Sequence, residues 1–112
     1  MDARERRMTE NETLFREVND RVEDTVERFH DAGHASAVEF FCECANADCT
    51  FRISLTHAEY DAVRADPRQF VVLPLHFMPE VETLVTKTES YWLVRKTGEA
   101  GELAEKRDPR SR

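Results

Sequence analysis

Three cysteines lie within eight residues of this chain, which has no other cysteine. Cys42, Cys44 and Cys49 have the spacing C-x-C-x4-C. Three thiols cannot all pair within one chain, and clustered thiols in a reducing compartment more often bind metal than form disulfides. A structural zinc ion takes four sulfur or nitrogen ligands in tetrahedral geometry. The cluster therefore predicts a zinc site that lacks one ligand. A thiol–disulfide switch and inert packing of small apolar side chains are the alternatives.

His76 is the preferred fourth ligand. Pro74 and Pro79 bracket it in a short loop that follows an apolar, strand-like run. Three thiolates and one imidazole form the Cys3His set of closed structural zinc sites. We therefore predict zinc as the cofactor, bound by Cys42, Cys44, Cys49 and His76.

The other histidines fit this site less well. His30 and His34 are four residues apart, but Gly33 is expected to end their helix. His57 falls in the first turn of a predicted helix and is expected at the surface.

The length and charge of the chain limit its class. A chain of 112 residues makes one domain with a marginal core, which gains from a metal staple. Its formal charge of -7 argues against a nucleic-acid partner. No apolar run approaches the roughly 20 residues of a membrane span, and the start lacks the apolar stretch of a secretory signal. We expect a cytoplasmic protein.

A long amphipathic helix is predicted to follow a disordered segment over residues 1–8. Thr9 and Glu12 have the spacing of a capping box, which places the helix start at Thr9. Arg16 and Glu23 are assigned to its solvated face. Its apolar stripe recurs every three or four residues, at Leu14, Phe15, Val18, Val22, Val26 and Phe29. This stripe packs on the domain's own sheet or, alternatively, on a second copy in a homodimer; the first is preferred.

The rest of the chain predicts short strands. Runs over 38–44 and 50–55 are expected to flank the cysteine turn, and a capping box from Thr56 to Glu59 starts a short helix. The run 69–73 is expected as a central strand, and the runs 80–87 and 90–96 as a hairpin. Residues 98–112 lack an apolar face and are expected to be a disordered tail.

These elements define an α+β fold. We expect a single zinc-binding domain over residues 9–97, with a long N-terminal helix packed on a small, mainly antiparallel sheet, one short helix and a zinc knuckle.

The segment from Phe40 to Val94 resembles a family of small, mostly uncharacterised actinobacterial proteins. The similar residues are Phe41–Cys44 with Cys49, Ile53–Thr56, Phe70–Val72, Pro74–His76 and Tyr91–Trp92, with Asn11–Glu12 and Phe15–Asn19 upstream. In that pattern glycine precedes the histidine, whereas this chain has Leu75. The turn before His76 is therefore expected to differ slightly. The resemblance implies a zinc-binding protein and carries no activity.

Catalytic motifs do not occur in the sequence. It contains neither the H-x-E with P-C-x-x-C of zinc deaminases nor the H-E-x-x-H of zinc proteases. Three thiolates also weaken the Lewis acidity of a bound zinc ion. We therefore expect a non-catalytic protein-interaction or regulatory module rather than an enzyme. The partner is expected at Phe77 and Met78, for which closure of the core is the alternative. A redox- or zinc-responsive thiol switch is the second interpretation of function, and a small metalloenzyme the third.

Overall fold

The computed structural model describes residues 1–29 and 37–111, and it confirms the α+β class. A long N-terminal helix, two further α-helices and a final 3-10 turn surround two small antiparallel sheets. In chain order the elements are α1 (Ala3–Phe29), β1 (Ala37–Phe41), β2 (Arg52–Thr56), α2 (His57–Val63), β3 (Gln69–Val72), β4 (Glu82–Lys87), β5 (Trp92–Lys96), α3 (Gly98–Lys106) and the 3-10 turn (Pro109–Ser111).

The strands form two sheets rather than one. β1 pairs with β2, and the other sheet has the order β3-β5-β4. The expectation that 69–73 is a central strand is wrong, because β5 is central. β3 is nevertheless buried, since the segment after β1 covers its outer edge: the Glu43 amide donates a 2.8 Å hydrogen bond to the Val71 carbonyl.

Two local predictions are confirmed. β4 and β5 form an antiparallel hairpin, which closes with a 2.9 Å hydrogen bond from the Thr88 amide to the Tyr91 carbonyl. The Thr56 hydroxyl and the Glu59 carboxylate each accept a hydrogen bond from the other's amide, which forms the capping box of α2.

Helix α1 starts earlier than predicted, so the expectation of a disordered segment over residues 1–8 is wrong. The helix begins at Ala3, and Asp2 accepts a 2.7 Å hydrogen bond from the Glu5 amide. The Thr9 hydroxyl donates to the Glu5 carbonyl at 3.0 Å, and Glu12 is buried against Lys96. Thr9 and Glu12 therefore lie within the helix and form no capping box.

The buried face of α1 is polar, which reverses the predicted orientation. Arg16 and Asn19 are fully buried, whereas Leu14 is 59% exposed. Arg16 donates hydrogen bonds to the carbonyls of Pro67 and Ala104, at 2.6 and 2.8 Å, and its guanidinium lies over the Phe70 ring. These hydrogen bonds compensate part of the cost of burying Arg16, whose Nε makes no hydrogen bond within the described residues.

The C-terminal segment is also helical, so the prediction of a disordered tail is wrong for residues 98–106. α3 buries Ala100, Leu103 and Ala104. This apolar stripe is short, and a partner supplies most of the stability of so short a helix. That partner is α1, through the bond from Arg16 to the Ala104 carbonyl.

Candidate metal centre

Four side chains converge at the main core, to which the three cysteines belong. One ligand atom each from Cys42, Cys44, Cys49 and His76 lies within 4.8 Å of the other three. Nδ1 of His76 is 3.5 Å from Sγ of Cys42 and 3.9 Å from Sγ of Cys49. Zn–S bonds of about 2.3 Å and Zn–N bonds of about 2.0 Å place neighbouring ligand atoms of a tetrahedron about 3.5–3.8 Å apart. The four predicted ligands are therefore together and could hold a metal ion.

The first cysteine, Cys42, is positioned by hydrogen bonds to its backbone and to its sulfur atom. Asn19 of α1 accepts from the Phe41 amide and donates to the Phe41 carbonyl, both at 2.8 Å, which fixes the end of β1. The Cys42 amide donates to the Phe51 carbonyl at 3.0 Å and continues the pairing towards the knuckle. The Leu73 amide donates to Sγ of Cys42 at 3.2 Å. An amide that points at the sulfur stabilises a thiolate and orients the ligand.

A tight turn at Asn46 brings the third cysteine back. The Asn46 side chain accepts from the Asp48 amide at 2.9 Å, and its carbonyl accepts from the Cys49 amide at 3.0 Å. Asn and Asp favour such turns because the side chain replaces a backbone acceptor.

The fourth ligand lies at the end of a turn from Leu73 to His76. The His76 amide donates to the Leu73 carbonyl at 3.0 Å, Pro74 occupies the second position, and Leu75 has φ 72° at the third. These are the features of a type II turn, whose third position favours glycine. Leu75 thus adopts a backbone conformation that suits glycine, and His76 still reaches the cysteines.

The site is closed on its sulfur side. Cys42, Cys44 and Cys49 are 0%, 2% and 4% exposed, and His76 is half-buried. A hydrogen bond shared with Cys44, together with burial, raises the pKa of Cys42, while the same bond lowers the pKa of Cys44 to about 5. Burial raises the pKa of Cys49. Without a cation the thiols resist joint ionisation, and a bound metal ion removes that resistance.

Glu43, between the first two cysteines, anchors the knuckle to three elements. Its carboxylate accepts hydrogen bonds from Asn19 at 2.9 Å, from the Tyr60 hydroxyl at 2.7 Å and from the Val71 amide at 3.1 Å. These donors oppose the rise in the pKa of Glu43 that burial causes. Sequence reasoning missed this role; the only signal was an acidic residue within an apolar strand.

Phe77 and Met78, the predicted partner contacts, are half-buried. Phe77 packs on the main core, with its ring 6.5 Å from that of Trp92, and Met78 packs on a second cluster with Met8 and Val81. Exposed apolar side chains beside the site belong instead to two residues that the sequence did not predict as partner contacts. Phe51 is 64% exposed with its ring 6.3 Å from that of His76, and Leu75 is 82% exposed.

A second group of possible ligands contains Glu23, His57 and Asp61. The guanidinium of Arg110 contacts both carboxylates, so this group already holds a cation. His57, expected at the surface, is half-buried with Nε2 3.1 Å from Glu23. His30, Gly33 and His34 lie outside the described residues.

The fold and the site thus define a small α+β domain with a Cys3His cluster that could hold a metal ion. The chain matches no protein-family model, no curated protein and no solved structure. Among residues 1–29 and 37–111, no helix combines the length and the apolar character that crossing a membrane requires.

Proposed function

We propose that the protein is a small cytoplasmic zinc-binding domain that acts as a non-catalytic protein-interaction or regulatory module, with a mainly structural zinc ion. The observation that carries this proposal is the convergence of three buried thiols and one imidazole within 4.8 Å. Four protein ligands complete the coordination of zinc and leave no position for a substrate. The resemblance to actinobacterial proteins with the same cysteine pattern agrees with zinc as the metal.

The partner surface in this proposal is the apolar pair Phe51 and Leu75, which flanks His76. Both side chains are mostly exposed. Leu75 also adopts a conformation that suits glycine, so the fold gains little from a leucine there. An exposed apolar side chain in a strained conformation is better explained by binding than by folding. The half-buried Phe77 and Met78 would support this surface from the side of the core.

Affinity capture with zinc-loaded protein tests the proposal. We expect wild type to retain a specific protein from its host lysate, and the variants Phe51→Ser and Leu75→Ser to lose it while they keep the metal. Glu39→Ser, at an exposed position of β1, is the matched surface control and should retain the partner. Equal capture by all variants, or saturable turnover that needs the metal, would contradict the proposal.

A homodimer through α1 is a second form of interaction. Leu14 is exposed and Phe15 and Val18 are half-buried, so part of the predicted stripe faces outward, whereas Val22 packs on the main core. Light scattering on Leu14→Glu and wild type tests this form. A dimer in wild type and a monomer in the variant would support it; two monomers would exclude it.

A thiol switch is the second candidate function, because the three Sγ atoms lie within 4.8 Å of one another. Oxidation of two thiolates to a disulfide would release the metal. The burial of all three cysteines argues against it, since oxidant needs access to sulfur. Unchanged metal content after mild peroxide treatment would exclude the switch.

A further inference from the structure

Three ionisable side chains that are not among the candidate metal ligands meet in the interior. Nζ of Lys96 on β5 contacts an oxygen of Glu12 on α1, and it lies 2.9 Å from Oε2 of Glu82 on β4. All three side chains are fully shielded from solvent. One amine and two carboxyl groups cannot all be charged and balanced there, and buried unbalanced charge is costly.

The contact between Lys96 and Glu12 differs in geometry from the ion pair of Arg64 with Asp20 in the same protein. Arg64 donates two directed hydrogen bonds to Asp20, at 2.8 and 2.9 Å. In contrast, neither oxygen of Glu12 nor Nζ of Lys96 makes a hydrogen bond of acceptable geometry within the described residues. The amine therefore contacts the carboxyl group of Glu12 away from the directions of a hydrogen bond.

The two carboxyl groups have different surroundings. Oε1 of Glu82 accepts a 2.7 Å hydrogen bond from the Met78 amide. Glu12 has no such donor, and burial raises its pKa well above its usual range. Glu12 is therefore the carboxyl group that holds a proton, and Oε2 of Glu82, 2.9 Å from Nζ, is the acceptor placed to take a proton from the amine.

We propose that Lys96 and Glu12 condense to an intramolecular isopeptide bond, with Glu82 as the proton carrier. Glu82 takes a proton from the ammonium group, and the Nζ lone pair attacks Cδ of Glu12. The bond from Cδ to its hydroxyl oxygen breaks, and this oxygen leaves as water with a proton that Glu82 delivers. Glu82 then takes a second proton from the nitrogen and keeps it, and the third stays on the amide nitrogen. The products are a neutral amide, a neutral acid and water, so no charge stays buried.

This reaction needs no oxidant, cofactor or metal, and it is independent of the proposed zinc site. The fold holds the reacting groups in contact, which replaces a bimolecular encounter by an intramolecular one. The bond would tie α1 to β5 and close the chain from residue 12 to residue 96. A domain of this size gains from such a covalent staple.

The intact mass of the full-length protein under denaturing conditions tests the proposal. We expect a mass about 18 Da below that of the sequence, the loss of one water. After trypsin digestion, peptide 8–16 should be joined to peptide 96–106, because the amide blocks cleavage after Lys96. The full sequence mass in folded wild-type protein, or a water loss that maps to other peptides, would overturn the proposal.

Substitutions test the roles of Lys96 and Glu82 in this reaction. Lys96→Arg keeps the positive charge and should show the full sequence mass, whereas the control Lys87→Arg, at an exposed position, should keep the loss of about 18 Da from its own sequence mass. Glu82→Gln removes the base, and the rate at which the linked form accumulates after synthesis should fall at least about tenfold, as is usual when general base catalysis is lost. An undiminished rate in Glu82→Gln would overturn the role of Glu82.

Discussion

The Tyr60 hydroxyl donates a 2.7 Å hydrogen bond to Glu43, the residue between the metal-ligand candidates Cys42 and Cys44. This bond joins α2 to the knuckle inside the core, where Tyr60 also stacks on Phe40 with ring centroids 4.3 Å apart. The candidate metal centre is thus held by buried polar contacts as well as by its ligands.

Loss of this hydroxyl should destabilise both the fold and the metal centre. We expect Tyr60→Phe to lower the free energy of unfolding by about 1.5–3 kcal/mol, since the acceptor is a buried carboxylate. Zinc should also dissociate faster, measured by transfer to a chromogenic chelator. Tyr91→Phe, on a half-buried ring, is the control and should change stability by no more than about 0.5 kcal/mol. If Tyr60→Phe and Tyr91→Phe changed stability and zinc dissociation equally, the hydrogen bond from Tyr60 to Glu43 would not hold the knuckle as described.

The polar face of α1 predicts an unusual order of mutational effects. Arg16→Met should cost about 2–4 kcal/mol, because the carbonyls of Pro67 and Ala104 would be left buried without a donor. Leu14→Ala should cost less than about 1 kcal/mol, because the side chain is mostly exposed. Urea unfolding measures both. A larger loss of stability in Leu14→Ala than in Arg16→Met would contradict the polar buried face and support the apolar orientation that the sequence predicted.

The conformation of the turn before His76 predicts that glycine at position 75 stabilises the domain. At φ 72° a side chain costs about 1–2 kcal/mol relative to glycine. Leu75→Gly should therefore stabilise the domain by up to about 1 kcal/mol once the added freedom of the unfolded chain is included. Leu75→Ala keeps the strained Cβ and should not stabilise it. Thermal unfolding of the zinc-loaded proteins distinguishes the two variants. A Leu75→Ala variant more stable than wild type would contradict the backbone strain at position 75.

Asp108 should contribute to acid sensitivity. Burial opposes its ionisation, but the hydrogen bonds from Arg64 and the Arg110 amide outweigh it and hold the pKa of Asp108 below its usual value. A carboxyl group with a lowered folded-state pKa stabilises the fold above its unfolded pKa of about 4, and the contribution disappears as the pH falls through the folded value. Asp108→Asn should cost about 3 kcal/mol at neutral pH.

The difference between wild type and Asp108→Asn should then shrink below about pH 4. Chemical unfolding at several pH values measures it. A difference that stays constant down to pH 2 would contradict the ionised pair.

Structural features that a single strong local sequence pattern specifies were predictable. The cysteine spacing and the proline-bracketed His76 identified four residues that meet, and the capping box identified the start of α2. The hairpin of β4 and β5 followed from its two strand-like runs.

The orientation of α1 was not predictable, because the partners of Arg16 lie 51 and 88 residues away in the chain. Periodicity places apolar residues inside by default, and only the tertiary structure shows that the buried stripe is polar. α3 was missed for a related reason: its short stripe is stabilised by α1 rather than by its own sequence. The sequence marked Leu75 as a departure from glycine, but it did not indicate that Leu75 and Phe51 are exposed.

The metal content of the protein as purified from cells tests the central claim most directly. Elemental mass spectrometry should find one equivalent of zinc in wild type, none in Cys49→Ser and a reduced amount in His76→Ala. His57→Ala, outside the cluster, should keep the full equivalent. A metal-free wild-type protein, or the same zinc content in Cys49→Ser as in wild type, would contradict the Cys3His site and the function proposed from it.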